Sequence, residues 1–378
     1  MTSHRSVGPV KTQFAQLYDQ DTPLQLRSGA VLAPVQAAYE TYGTLNSRRS
    51  NAVFICHALT GDAHAAGFHE GAERPGWWDN MIGPGKPIDT DVWFVVSANL
   101  LGGCKGTTGP SGTNPATGKA YGLDFPLLAI SDFVTMHRRL GRYLGIDHWA
   151  AVVGGSLGGM QVLDWTLSHP QEIDNALIFA ASSRLTAQNI AFSAVGRQAI
   201  MRDPDFHGGD FAAHGTSPDK GLSVARMMAH ITYLSEEAFS EKFGRQAQFE
   251  RLSPNFDVDF AVESYLEHQG QRFLSRFDAL SYLYLSRAMD YFDPFSDETA
   301  LPRLQAHPVR CLVTSFDSDW RFSPEHSRRI VRYLEGAKVP VTFRNIASPW
   351  GHDSFLLEIE QYHATVRAFL DRAAEELL

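Results

Sequence analysis

Cysteine is scarce in this chain. There are three in 378 residues (Cys56, Cys104 and Cys311), odd in number and far apart, which excludes a disulfide framework and points to reduced thiols. Long apolar runs are missing as well: none approaches the roughly 18 residues that a membrane span needs. The opening M-T-S-H-R-S-V-G-P-V has no apolar stretch of signal-peptide length. These absences together lead us to expect a cytoplasmic protein. Basic excess is lacking too, with 33 Lys and Arg against 42 Asp and Glu and a net charge of −9, which argues against general binding to nucleic acid or anionic membranes. Internal repeats, low-complexity tracts and long flexible linkers are absent. What is present is an ordinary globular composition, 44% hydrophobic and 20% charged, long enough for one large α/β domain or one domain carrying an inserted second.

Residues 1–20 read as a loose lead-in. Leu24 to Arg27 and Ala30 to Leu32 suggest short paired strands around a Ser28-Gly29 turn, and Val35 to Tyr42 a further strand. Continuous apolar runs at 51–56, 92–98, 150–153 and 176–180 read as buried strands. Helical spacing of Phe133, Met136, Leu140 and Leu144 falls between the second and third of these. Buried strands alternating with helices imply a mostly parallel sheet covered on both faces. From Ala187 to about Thr299 the texture is helical, most clearly at Val224 to Leu234. Strand character returns at 309–314 and 339–346, and a helix is expected from Tyr362 to the end. The expectation is an α/β core over 1–184 and 300–378 with a helical lid inserted over 185–299.

The chain is organised around Ala150 to Trp165, A-A-V-V-G-G-S-L-G-G-M-Q-V-L-D-W. The core Gly154-x-Ser156-x-Gly158 is a nucleophile-elbow pattern, in which a strand turns sharply into a helix and lifts a serine hydroxyl above a parallel sheet. Serine needs a base, and the base needs an orienting acid. In the α/β-hydrolase arrangement these follow the serine in the order acid, then histidine, after later strands. Among fifteen histidines, His352 (P-W-G-H-D) follows the last predicted strand, and Phe316 to Trp320 (F-D-S-D-W) follows the one before it. Motif order leaves Asp317 and Asp319 both open as the acid. A tetrahedral intermediate needs N–H donors, expected from Leu157 and from Leu59 in His57-Ala58-Leu59. His57, His64 and His69 have spacings of seven and five, which fit no usual metal-ligand pattern, so no metal is expected. Gly102 to Gly106 (G-G-C-K-G) lacks phosphate-loop spacing and reads as a structural loop bordering the pocket.

Seven stretches in order carry a resemblance that spans about residues 15–375: H-A-L-T-G-D at 57–62, N-L-L-G-G-C-K-G-T-T-G-P-S at 99–111, G-G-S-L-G-G-M-Q at 154–161, R-Q-A-I at 197–200, Asp203-Pro204, S-D-W-R-F-S-P at 318–324 and G-H-D-S-F-L at 351–356. Together they resemble the homoserine O-acyltransferases, α/β-hydrolase-fold enzymes of methionine biosynthesis. That resemblance implies Ser156 as nucleophile, Asp319 rather than Asp317 as acid and His352 as base. It further implies Arg226 for the amino-acid carboxylate with Tyr233 nearby, Asp353 for the ammonium, and a homodimer joined through the lid helices. Arg226 and Tyr233 lie seven apart on the clearest lid helix, hence on one face, and a guanidinium fork suits a carboxylate. Leu157 stands where the family often has methionine. Because that residue acts through its backbone, the change costs little.

Arg321, two residues past Asp319, resembles the succinyl-transferring branch, whereas the acetyl-transferring members usually carry an aliphatic residue there. A succinyl group carries a distal carboxylate for an arginine to pair with; an acetyl group offers none. The expected donor is therefore succinyl-CoA as co-substrate, with acetyl-CoA as the alternative. No bound cofactor or metal is expected. A serine O-acyltransferase, a thioesterase or esterase, and a non-catalytic binding protein on the same fold remain the competing readings.

Overall fold

The computed structural model describes residues 6–248 and 255–377. An eight-stranded sheet forms its centre, in the order β1-β4-β6-β5-β7-β8-β9-β10. The chain enters as β1 (Gln13–Tyr18), makes the small antiparallel pair β2 (Leu24–Gln25) and β3 (Val31–Leu32), then returns along β1 as β4 (Val35–Tyr42). β5 (Ala52–Cys56) and β6 (Phe94–Ala98) follow, then helix α1 (Ile130–Tyr143), β7 (Trp149–Gly155), α2 (Leu157–Ser168) and β8 (Ile173–Phe179). The sheet resumes with β9 (Arg310–Phe316), and α9 (Pro324–Gly336) leads to β10 (Val341–Ile346) and α10 (Glu360–Leu377). β4 pairs antiparallel with both neighbours, and every pairing from β6 across to β10 is parallel.

All five residues of β5 and all seven of β7 are buried, as strands covered on both faces must be. One apolar cluster fills the side facing α1 and α2, including Phe54, Phe133, Trp149 and Trp165. A second, around Trp78, Phe179, Phe316 and Tyr362, lies beneath α10.

Between β8 and β9 the described chain is helical: α3 (Ala187–Met201), α4 (Asp219–Tyr233), α5 (Glu236–Lys242), α6 (Ala261–Leu274), α7 (Ala279–Asp290) and α8 (Ala300–Ala306). α4 packs against both α3 and α6, while α8 lies back on α2. No helix among the described residues is long and apolar enough to cross a membrane.

The expected loose lead-in over 1–20 is corrected over its described part. Gln13–Tyr18 is an edge strand in register with β4. Only Ala15 and Leu17 of its Q-F-A-Q-L-Y point into the core, so the half-buried edge reads as polar. The first five residues of that lead-in, residues 249–254 of the expected lid and the last residue of the expected C-terminal helix lie outside the described residues.

Candidate active site

The turn after β7 places Ser156 at φ 58° and ψ −124°, a left-handed backbone that a residue with a side chain rarely adopts. Two contacts hold it there. Its N–H donates to the Phe179 carbonyl at 3.0 Å, and its carbonyl accepts from Met160 N at the start of α2. Gly158 is obligatory for a different reason: a Cβ there would sit 2.0 Å from the Cys56 carbonyl oxygen, so α2 begins almost in contact with the end of β5. A Cβ on Gly154 would sit 2.5 Å from the Gly158 carbonyl carbon, and one on Gly155 2.3 Å from the Phe355 ring.

Ser156 lies at one end of a buried hydrogen-bonded line. Its Oγ is 2.8 Å from His352 Nε2, and His352 Nδ1 is 2.7 Å from Asp319 Oδ2. Ser156 is 7% exposed, His352 3% and Asp319 1%, so the line is almost dry. The second carboxylate oxygen of Asp319 accepts from Phe322 N at 2.8 Å, which fixes the rotation of the carboxyl group. Asp317 lies elsewhere: its Oδ1 accepts from Ser348 N at 2.9 Å. Ser318 Oγ donates to the Ser348 carbonyl and accepts from Gly351 N. The loops after β9 and β10, which carry Asp319 and His352, are thus pinned to each other.

Leu157 is the first residue of α2, so its N–H has no carbonyl one helical turn back. Leu59 sits in the tight turn after β5, which the Gly61 N–H closes on the Ala58 carbonyl.

Two guanidinium groups meet one ring beside this line. Arg226 lies 5.7 Å and Arg321 5.5 Å from the Tyr233 ring centre, and that ring is 6.0 Å from the His352 imidazole. Arg321 is 7% exposed and donates to Thr232 Oγ1 at 2.6 Å; no carboxylate lies within ion-pair distance of it among the described residues. Arg321 is therefore neither solvated nor paired with Asp317. Arg226 stacks 4.7 Å from the Phe273 ring, and its Nη1 is buried without a partner. Burial pushes the Asp353 carboxyl up to about 6, against the downward pull of His352 and Arg226. A cavity of about 320 Å³ opens at Asp353, lined also by Lys242, Tyr265, Trp350 and Leu357.

Arg276 carries no signal in the sequence, yet it belongs to this environment. Its side chain reaches the surface, yet the surrounding protein and then repulsion from Arg226 lower its pKa, and Asp62 opposes both.

Of the three loop histidines, His64 and His69 do converge, but on Glu40 rather than on His57. Their donor atoms and a Glu40 oxygen lie within 4.8 Å of one another, a grouping that could hold a metal. The fully buried carboxylate is already saturated: Thr12 Oγ1 and His69 Nε2 approach one oxygen at 2.8 and 2.7 Å, and Tyr42 OH and His64 Nδ1 the other at 2.9 and 3.0 Å. Burial alone would raise the Glu40 pKa, but the bonds from His64, His69 and Thr12 outweigh it and leave the pKa lowered. The cluster therefore reads as a polar rivet joining the residue before β1, β4 and the loop after β5.

A serine presented on a strained strand-to-helix turn above a parallel sheet, with a buried histidine and carboxylate in line, defines an enzyme of the α/β-hydrolase class. Residues 51–359 match the alpha/beta hydrolase fold family. A homoserine O-succinyltransferase from Nocardioides sp. is 56% identical over 97% of this chain and 99% of its own length. The chain belongs to the homoserine O-acyltransferase family, on its homoserine O-succinyltransferase branch. The homoserine O-acetyltransferase from Bacillus anthracis superposes with a TM-score of 0.87 at 27% identity, covering 96% of this chain and 97% of that one. Esterase E22 matches with the same TM-score and identity over 96% and 100%. Backbone shape therefore does not separate transfer from hydrolysis; side chains must.

Proposed function

We propose that this chain transfers the succinyl group of succinyl-CoA to the hydroxyl of L-homoserine, through an acyl-serine on Ser156. His352 takes the Ser156 proton as the oxygen attacks the thioester carbonyl, with Asp319 holding the imidazole tautomer. The N–H groups of Leu59 and Leu157 receive the oxyanion. CoA thiolate leaves with the proton from His352. Homoserine then binds with its carboxylate on Arg226 and its ammonium on Asp353, Tyr233 forming the wall between them. His352 deprotonates the homoserine hydroxyl, which attacks the acyl-serine ester; Ser156 recovers its proton and O-succinylhomoserine departs.

The observation that carries this reading is Arg321. A buried guanidinium without a carboxylate partner is costly unless a ligand supplies one, and the distal carboxylate of succinyl does so. Water must be kept out during the acyl-enzyme stage, and α4, whose Tyr233 sits over His352, is the cover. The chemistry uses the chain's own groups and the donor's thioester, with no resident cofactor or metal. In support of a homodimer joined through the lid helices, Val195 and Met201 on α3 and Val224 and Ile231 on α4 are apolar yet 40–50% exposed. The scarcity of cysteine supports a cytoplasmic setting.

The test is kcat/KM with L-homoserine held fixed, comparing succinyl-CoA with acetyl-CoA. Succinyl is expected to be preferred, and Arg321→Leu to remove the preference by lowering the succinyl value alone. Acetyl preference in the unmodified protein would overturn the donor assignment. Continued multiple-turnover release of CoA without homoserine, beyond the one equivalent that acylates Ser156, would make the protein a thioesterase.

A further inference from the structure

Three buried polar side chains behind the elbow take no part in the reaction just described. Gln161, His137 and His57 are at most 1% exposed, and they form one connected chain. The Gln161 amide Nε2 donates to the His57 carbonyl at 3.0 Å and to the Leu157 carbonyl at 3.2 Å. Its Oε1 lies 2.9 Å from His137 Nε2. Because two carbonyls claim the amide's N–H groups, Oε1 must face His137, whose Nε2 therefore carries the hydrogen. Burial depresses the His137 pKa to about 3, so the ring is neutral and keeps that tautomer at neutral pH. His57 is fixed by the same logic. Its Nε2 accepts from Leu100 N at 3.0 Å, so its Nδ1 bears the proton and donates to the Ala58 carbonyl at 2.7 Å.

The consequence follows from peptide planarity. The Ala58 carbonyl and the Leu59 N–H belong to one rigid unit, so a donor that fixes the first aims the second. Gln161 grips the preceding peptide of the same loop. With its other contact it grips the first turn of α2, which presents the Leu157 N–H. Gly158 makes this possible, since only a residue without Cβ lets α2 come within reach of the His57 backbone.

We infer that Gln161, oriented by His137 and acting together with His57, is a positioning residue that locks the two N–H donors of the oxyanion site into one register. This rests on the reading that Leu59 and Leu157 supply those donors. The relay touches neither substrate. It acts on the tetrahedral intermediates of both half-reactions and leaves the Michaelis complexes alone.

The experiment uses the full-length protein and Gln161→Met, which keeps the volume and removes both N–H groups. Rates of single-turnover acylation by succinyl-CoA and of deacylation by homoserine are measured, with p-nitrophenyl acetate hydrolysis as a probe independent of homoserine. All three are expected to fall roughly 10- to 100-fold, less than loss of an oxyanion donor itself, while KM for both substrates stays near its original value. His137→Phe should show a smaller loss of the same kind. The double variant should be no worse than Gln161→Met alone, because His137 works only through the glutamine. Unchanged kcat in Gln161→Met, losses that add in the double variant, or a loss that appears in KM would overturn the inference. If Gln161→Met does not fold, His137→Phe decides by the same kcat-against-KM split. A protein that cleaves the ester but never acylates homoserine would sink the functional reading and leave the relay testable.

Discussion

At the scale of single residues, the sharpest expectation concerns Asp353. Its carboxyl is pushed up to about 6 by burial, and the proposed role, receiving the homoserine ammonium, requires it to be ionised. As pH falls through that value the carboxylate takes up a proton and the ammonium loses its partner. KM for homoserine should then rise about tenfold per pH unit below the transition, with KM for succinyl-CoA flat. Asp353→Asn should raise the homoserine KM throughout and remove its pH dependence. Steady-state kinetics between about pH 5 and 8 would decide it, since the Asp353 pKa lies inside that range. Residue-level legibility is uneven. Ser156 and His352 stand out because backbone strain and strand order demand particular residue types at particular places. Asp317 and Asp319 cannot be separated by order, being two apart in one turn. What divides them is side-chain direction: Asp317 accepts from the Ser348 N–H in the facing loop, and Asp319 faces the His352 imidazole. Arg276 is invisible because nothing in local periodicity reveals which cations a fold gathers.

At the scale of elements, the junction of β7 and α2 has no slack. The backbone of β5 lies where a Gly158 side chain would be. Gly158→Ala is expected to push α2 off β5, losing about 3 kcal/mol or more of stability and with it most of the activity. Denaturant unfolding alongside ester hydrolysis would measure both, and an active variant of unchanged stability would refute this account. The buried strands are legible because their apolar runs are short, rich in Val, Ile and Phe, and alternate with helical spacing. β1 is not, because an edge strand that buries only Ala15 and Leu17 resembles a polar tail. Glu40 illustrates the same limit. Nothing in the sequence says that one carboxylate will collect Thr12, Tyr42, His64 and His69, since those partners come from three separate segments.

At the scale of the whole molecule, the helical segment between β8 and β9 carries exposed apolar side chains that a lone copy would leave wet. If α3 and α4 join two copies, Val224→Asp with Ile231→Asp should convert the protein to a monomer in sedimentation equilibrium. The Ser156–His352–Asp319 line, built on the core, should survive. A dimer that persists would place the interface elsewhere.

The two guanidinium groups around Tyr233 have a consequence for how a catalytic cycle ends. Succinyl-CoA brings one carboxylate to the site and homoserine brings another together with an ammonium. O-succinylhomoserine carries all three on one short skeleton, and the proposed assignments would set them against Arg321, Arg226 and Asp353. A pocket that greets each substrate with part of its charge therefore holds the product with the whole of it. On those assignments the departure of product is expected to be the slow step, and added O-succinylhomoserine to inhibit its own synthesis in initial-rate measurements.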